Sequence, residues 1–111
     1  TTLFRSMRPA LYEAYHSIVP VETKTVSKST YDIVGPVCES GDWLGRDRSL
    51  AVEEGDLLAI LSAGAYGFVM ASNYNTRPKP AEIMVDGNNA YVIRSRENIK
   101  DLFASETVLP S

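Results

Sequence analysis

The residues best suited to chemistry in this 111-residue chain fall in one stretch, Gly35-Pro36-Val37-Cys38-Glu39-Ser40-Gly41-Asp42, running on into Trp43-Leu44-Gly45-Arg46-Asp47-Arg48. It holds the only cysteine and the only tryptophan. A thiol flanked by Glu39 and, across Gly41, by Asp42 sits among carboxylates that disfavour the thiolate. That setting suits a thiol that gives a proton better than a nucleophile or a metal ligand. Lone cysteines are usually small buried hydrophobes, but the acidic, glycine-rich neighbours argue against a core position. Asp42 is expected to hold the loop.

Three further sets of residues invite a role. Arg8 and Tyr12 stand four apart and would share one face of a short helix. A guanidinium grips a carboxylate through two parallel hydrogen bonds, although Arg8 could equally cap a helix or pair with Glu13, and Tyr12 could be a core aromatic. Tyr66 lies in the glycine-spaced segment Gly64-Ala65-Tyr66-Gly67, where backbone can approach a ligand or another strand closely. Arg46 and Arg48 flank Asp47 and are expected to form an ion-pair cluster, with phosphate contact as the weaker option. His16, the only histidine, has no cysteine or carboxylate at ligand spacing and reads as structural. No metal site is expected.

Gly35-Pro36-x-Cys38-Glu39-Ser40-Gly41-Asp42 resembles the signature of the diaminopimelate decarboxylases, fold type III pyridoxal-phosphate enzymes of lysine biosynthesis. Arg8-Pro9-Ala10-Leu11-Tyr12-Glu13-Ala14-Tyr15-His16 and Gly64-Ala65-Tyr66-Gly67-Phe68 are similar to two more of that family's segments, in the family's order. The resemblance covers nearly the whole chain but only the carboxy-terminal portion of such an enzyme; the TIM-barrel domain with its Schiff-base lysine is absent from the sequence. It implies roles residue by residue. Cys38 would return a proton to the α-carbon after carbon dioxide leaves. Glu39 would read the distal ammonium of the substrate, and Arg8 and Tyr12 would also bind substrate, Arg8 at the distal carboxylate. Tyr66 would touch both cofactor and substrate. Asn73, Asn75 and Arg77 match the family's polar loop without a role of their own. Relatives acting on ornithine or arginine resemble Cys-Asp rather than Cys-Glu here, so the longer side chain favours meso-diaminopimelate. The resemblance also implies a homodimer in which Cys38 and Glu39 reach the partner's cofactor site.

Composition agrees with one globular unit: 44% hydrophobic, 23% charged. A net charge of -3 offers no basic footprint for nucleic acid. A single cysteine cannot close an internal disulfide, which favours a reducing, cytoplasmic setting. The longest apolar run, Leu57 to Leu61, is far too short to span a bilayer. Thr1 in place of an initiator methionine suggests a cut or processed chain.

These candidates must be positioned by short elements. Pro9 to Ala14 reads as a brief helix opened by proline. Tyr15 to Val21 turns extended, with Pro20 at an edge or bend. Residues Val21, Thr23 and Thr25 permit a strand, and Lys28-Ser29-Thr30 reads as loop. Tyr31 to Val34 is a strand that delivers the cysteine loop. Glu53-Glu54-Gly55-Asp56 is a turn and Leu57 to Leu61 a buried strand. Phe68 to Ser72 is apolar and undecided between helix and strand, and Asn73 to Pro80 is a loop. Ala81–Val85 and Ala90–Arg94 form a hairpin about Asp86-Gly87-Asn88-Asn89. Glu97 to Ala104 is a terminal helix with Ser95 as its cap.

Short strands, frequent turn signals and brief helices indicate a mostly-β barrel or sandwich across residues 1–111. In the family it resembles, part of the small barrel comes from the far amino terminus, so at least one strand edge should be unpaired here. Two other functions fit the sequence: the same domain of an ornithine, arginine or carboxynorspermidine-type decarboxylase, and a non-catalytic β-domain that mediates association.

Overall fold

The computed structural model describes Pro9 and residues 13–110. In chain order these form β1 (Ile18–Pro20), β2 (Ser29–Val34), β3 (Trp43–Leu50), β4 (Leu58–Ile60), the single-turn helix α1 (Gly64–Gly67), β5 (Glu82–Asp86), β6 (Asn89–Arg94) and the single-turn helix α2 (Ile99–Leu102). The chain is mostly β with brief helices, as its turn spacing indicates.

Ahead of β1, the Glu13 N–H donates to the Pro9 carbonyl at 2.9 Å, the span of a helical turn. Glu13 itself has φ 58°, the left-handed position at which helices commonly end. Thr30, Tyr31, Ile33 and Val34 bring the β-branched and aromatic side chains that fit a pleated surface, and β2 forms there. It pairs antiparallel with β3, while β1 pairs with β4 and β5 with β6. Each strand thus has one neighbour, and among the described residues every strand keeps an open edge. No closed barrel forms from these residues alone.

The ribbons meet where side chains are small. Gly45 of β3 is buried against the Ile18 methyl of β1, and a Cβ at Gly45 would collide with it and with the Arg48 side chain. Ile18, Leu50 and Ala71 are buried, as are Pro9 and Pro80, and the buried polar residues among those described are His16 and Asp42. So small a core leaves much surface wet. The chain exposes 8237 Å², against about 6,100 Å² for a compact domain of 12.2 kDa. Its radius of gyration, 16.7 Å, likewise exceeds the ~13 Å of a compact chain of this length.

Several sequence expectations shift by local context. Ser29 and Thr30 open β2 instead of lying in a loop, because their backbone pairs with Leu50 and Ser49. Trp43 to Arg48 is strand, so the loop proper ends at Asp42. Leu57 to Leu61 is not buried: only Leu58–Ile60 pairs, those three residues are half-buried, and Leu57 is exposed. Phe68 to Met70 is turn, neither helix nor strand. The hairpin turns through Gly87-Asn88, with positive φ at Gly87, the first loop position. The terminal helix is shorter than Glu97–Ala104 and is capped by Asn98 rather than Ser95: the Asn98 N–H donates to the Asp101 carboxylate at 2.8 Å.

Candidate active site

Asp42 ties the cysteine loop shut with every polar group it has. Its carboxylate accepts from the Val37 N–H at 2.7 Å. Its carbonyl accepts from the Gly35 N–H at 2.8 Å, and its own N–H donates to the Glu39 carbonyl at 3.0 Å. A further bond, from the Glu39 N–H to the Val37 carbonyl at 2.8 Å, tightens the turn that presents Cys38. A buried carboxylate without partners would be costly; here the loop backbone supplies them. Gly35 is required for space: a Cβ there would fall on the Asp42 carboxylate. Asp42 therefore holds the loop.

The result is an exposed thiol on a closed turn. Cys38 and Glu39 line one concavity of about 480 Å³, together with Val34, Trp43 and Arg46. Arg46 reaches it because β3 is irregular. Between the pairs Tyr31–Arg48 and Ile33–Gly45, and again between Ile33–Gly45 and Val34–Trp43, β3 carries an extra residue. In a regular strand, residues three apart face opposite ways; the bulge re-aims them. The Arg46 guanidinium thus lies 4.6 Å over the Trp43 ring. Asp47 adopts φ 53° at the first irregularity, and its N–H donates to the Asp32 carboxylate at 2.9 Å. Asp tolerates that left-handed geometry better than most residues.

The expected ion-pair cluster of Arg46, Asp47 and Arg48 does not form among the described residues. The guanidinium groups stack on aromatic rings instead, Arg48 at 4.1 Å from the Tyr15 ring centre. Nothing in the sequence flagged Gly35 as a close-approach position or Asp32 as the partner of Asp47; both follow from the pairing of β2 with β3.

Tyr66 sits on α1, partly exposed, and does not line the cysteine concavity. Arg8 and Tyr12 lie outside the described residues. His16 is buried, and its ring Nδ1 meets the Leu61 carbonyl at 2.9 Å. The polar loop from Asn73 to Pro80 is fastened by Glu97, whose carboxylate accepts from the Lys79 N–H at 2.8 Å and the Asn73 amide at 2.7 Å. Those two bonds hold the Glu97 carboxyl below its ordinary range, the Lys79 N–H contributing most.

The four lysines are each engaged with a partner or exposed to solvent. Lys24 is paired with Asp56 at 2.7 Å and Glu53 at 2.8 Å, and these bonds, Asp56 first, hold its ammonium above the usual range. A nucleophilic amine needs the opposite shift. The Lys79 ammonium lies over the Phe68 ring at 5.5 Å, and Lys28 and Lys100 stand in solvent. Among the described residues no group of three or more histidine, cysteine or carboxylate side chains could hold a metal ion, and no helix is long and apolar enough to cross a membrane.

Residues 1–64 match a family model described as "Pyridoxal-dependent decarboxylase, C-terminal sheet domain". Over 104 residues the chain is 58% identical to diaminopimelate decarboxylase of Vibrio cholerae, covering 94% of this chain and 25% of that protein. It is 60% identical over 100 residues to the diaminopimelate decarboxylase of Neisseria meningitidis serogroup B, covering 90% of this chain and 24% of the relative. The crystal structure of the M. jannaschii diaminopimelate decarboxylase in complex with L-lysine superposes with a TM-score of 0.85 at 47% identity, covering 93% of this chain and 24% of that one. The chain thus spans about a quarter of the length of the relatives it matches.

Proposed function

Since the chain belongs to the family of pyridoxal-dependent decarboxylase C-terminal sheet domains, we propose that residues 1–111 are the carboxy-terminal β-domain of a diaminopimelate decarboxylase, which converts meso-2,6-diaminopimelate to L-lysine and carbon dioxide in the cytoplasm. The observation that carries this reading is the exposed Cys38 thiol beside Glu39 on a turn locked by Asp42. A proton donor must be both accessible and held still, and this turn supplies both conditions.

The lysines of this chain are engaged or solvated, so the pyridoxal group and its Schiff-base lysine come from the rest of the enzyme. When bound, the pyridoxal group supplies the electron sink for the charge left as carbon dioxide departs. The residues here do the remaining work. Cys38 gives the Sγ proton to the α-carbon in place of the lost carboxylate, and the thiolate regains a proton from solvent. Glu39 binds the distal ammonium, and Arg8 the distal carboxylate through paired hydrogen bonds. Tyr12 lies along the substrate, and Tyr66 contacts substrate and cofactor from α1.

Following the family resemblance, the two sets belong to different active sites of a homodimer; the absence of Tyr66 from the lining of the concavity of Cys38 and Glu39 agrees with that reading. Cys38 and Glu39 complete the partner's site, and Tyr66 serves its own. The half-buried Trp43, capped by Arg46, is the apolar contact at that boundary.

Decarboxylation assays on the full-length enzyme with pyridoxal phosphate test the reading. One lysine and one carbon dioxide should form per meso-diaminopimelate consumed, with little turnover of ornithine or arginine. Preference for either of those, or no carbon dioxide from any of the three, would overturn it.

A further inference from the structure

We propose that Arg46 is a specificity-determining residue, a guanidinium aimed into the concavity of Cys38 and Glu39 to take the carboxylate on the substrate's distal carbon. The first observation is what Arg46 leaves unused. Its guanidinium lies 4.6 Å over the Trp43 ring, and a planar group stacked by its face keeps its N–H edge for other partners. Among the described residues Arg46 joins no ion pair, although Asp32 and Asp42 line the same concavity. Both of those carboxylates are engaged elsewhere: Asp42 holds the Val37 N–H at 2.7 Å, and Asp32 the Asp47 N–H at 2.9 Å. A forked donor edge of this kind is matched by a carboxylate, through two parallel hydrogen bonds.

The second observation is how Arg46 comes to be there. Between the pairs Tyr31–Arg48 and Ile33–Gly45, Arg46 and Asp47 together oppose Asp32 alone. Arg46 is thus itself a bulge residue, and bulges re-aim side chains beside active sites. Asp47 takes φ 53° to make the bulge, a conformation that a residue with a Cβ keeps only where its surroundings impose it. Asp32, opposite, imposes it by accepting the Asp47 N–H. Asp32 is therefore a positioning residue for Arg46.

The third observation is charge. Glu39 and Arg46 place opposite charges around one concavity of about 480 Å³. The distal carbon of diaminopimelate bears an ammonium and a carboxylate together, so an acid and a guanidinium complement it as a pair. A substrate ending in a bare ammonium would leave the guanidinium unmatched, which selects against it. This role adds to that of Arg8 and does not depend on it.

The inference rests on the proposed function, and its test uses full-length enzyme with pyridoxal phosphate. Arg46→Gln should raise KM for diaminopimelate about 10–100-fold, the range for a lost charged hydrogen bond, with kcat changed less. L-lysine keeps the distal ammonium and carboxylate, so its inhibition constant should rise in parallel. Cadaverine, which ends in ammonium alone, should inhibit no more weakly than before. Arg46→Lys should recover part of the loss. Asp32→Ala should show the same split between the two inhibitors, and the Asp32→Ala/Arg46→Gln double variant should lose no more than Arg46→Gln. Unchanged KM in folded Arg46→Gln, or equal weakening of lysine and cadaverine, would overturn the inference. A weaker dimer with unchanged KM would assign the guanidinium to the subunit boundary and overturn it too. Wild-type enzyme that does not turn over diaminopimelate would overturn the functional reading itself, and this inference with it.

Discussion

The Asp42 carboxylate occupies the space that a side chain on Gly35 would need. The two residues close the cysteine turn from opposite ends, joined by the Gly35 N–H to the Asp42 carbonyl at 2.8 Å. The loop geometry therefore depends on a residue with no side chain facing a residue whose carboxylate holds the Val37 N–H.

Gly35→Ala should expel the Asp42 carboxylate from the Val37 N–H and lower turnover of the full-length enzyme while leaving its global melting temperature within a few degrees. Loss of that bond should cost the turn about 1–3 kcal/mol. Asp42→Ala should do similar damage, and the double variant should lose less than the sum, because the clash and the bond are one interaction. Strictly additive losses would show that the two positions are independent.

Cys38→Ala should cut turnover by about 10²–10⁴-fold, the usual contribution of a positioned acid. Substrate affinity should change far less, since Glu39 and Arg8 remain. Equal turnover in a folded Cys38→Ala enzyme, measured by carbon dioxide release, would reduce the cysteine to a bystander.

If Cys38 serves the partner's site, mixing Cys38→Ala subunits with subunits lacking the Schiff-base lysine should restore activity. Each mixed dimer would carry one complete site. No recovery, once subunit exchange is verified by mass spectrometry, would place both groups in the same subunit.

Acid should release the loop that Glu97 fastens. Its folded carboxyl titrates below the ordinary value of 4.5, chiefly because the Lys79 N–H donates to it. The group therefore contributes stability that is fully present above about pH 4.5 and is lost as pH falls through the lower folded value. Protection of the Lys79 amide should follow that titration, and Glu97→Gln should remove the acid-dependent step. The same pH profile in Glu97→Gln would assign the step to another carboxylate.

Prepared alone, the chain should associate. It exposes roughly 2,100 Å² beyond the expectation for a compact domain, and the β5–β6 hairpin leaves Ile83, Met84, Val85, Tyr91, Val92 and Ile93 exposed. Open strand edges add pairing sites. Sedimentation should show mass rising with concentration, with dye binding to apolar surface. A monodisperse monomer at high concentration would contradict this.

Motif and pattern made part of the molecule legible from its sequence. Alternating β-branched and aromatic residues marked β2, β5 and β6, and Gly87 marked the hairpin turn, because these signals are local and each residue reports its own conformational preference. The thiol between carboxylates was visible for the same reason, as was a histidine with no ligand partner. What only the tertiary structure decided was set by pairing between distant segments. Ser29 and Thr30 became strand because Leu50 and Ser49 lie beside them. Arg46 came over Trp43 because β3 carries extra residues against β2, and register is a property of two strands that neither encodes alone. His16 found the Leu61 carbonyl 45 residues away, a contact no spacing announces, since it exists only once β1 and β4 are aligned.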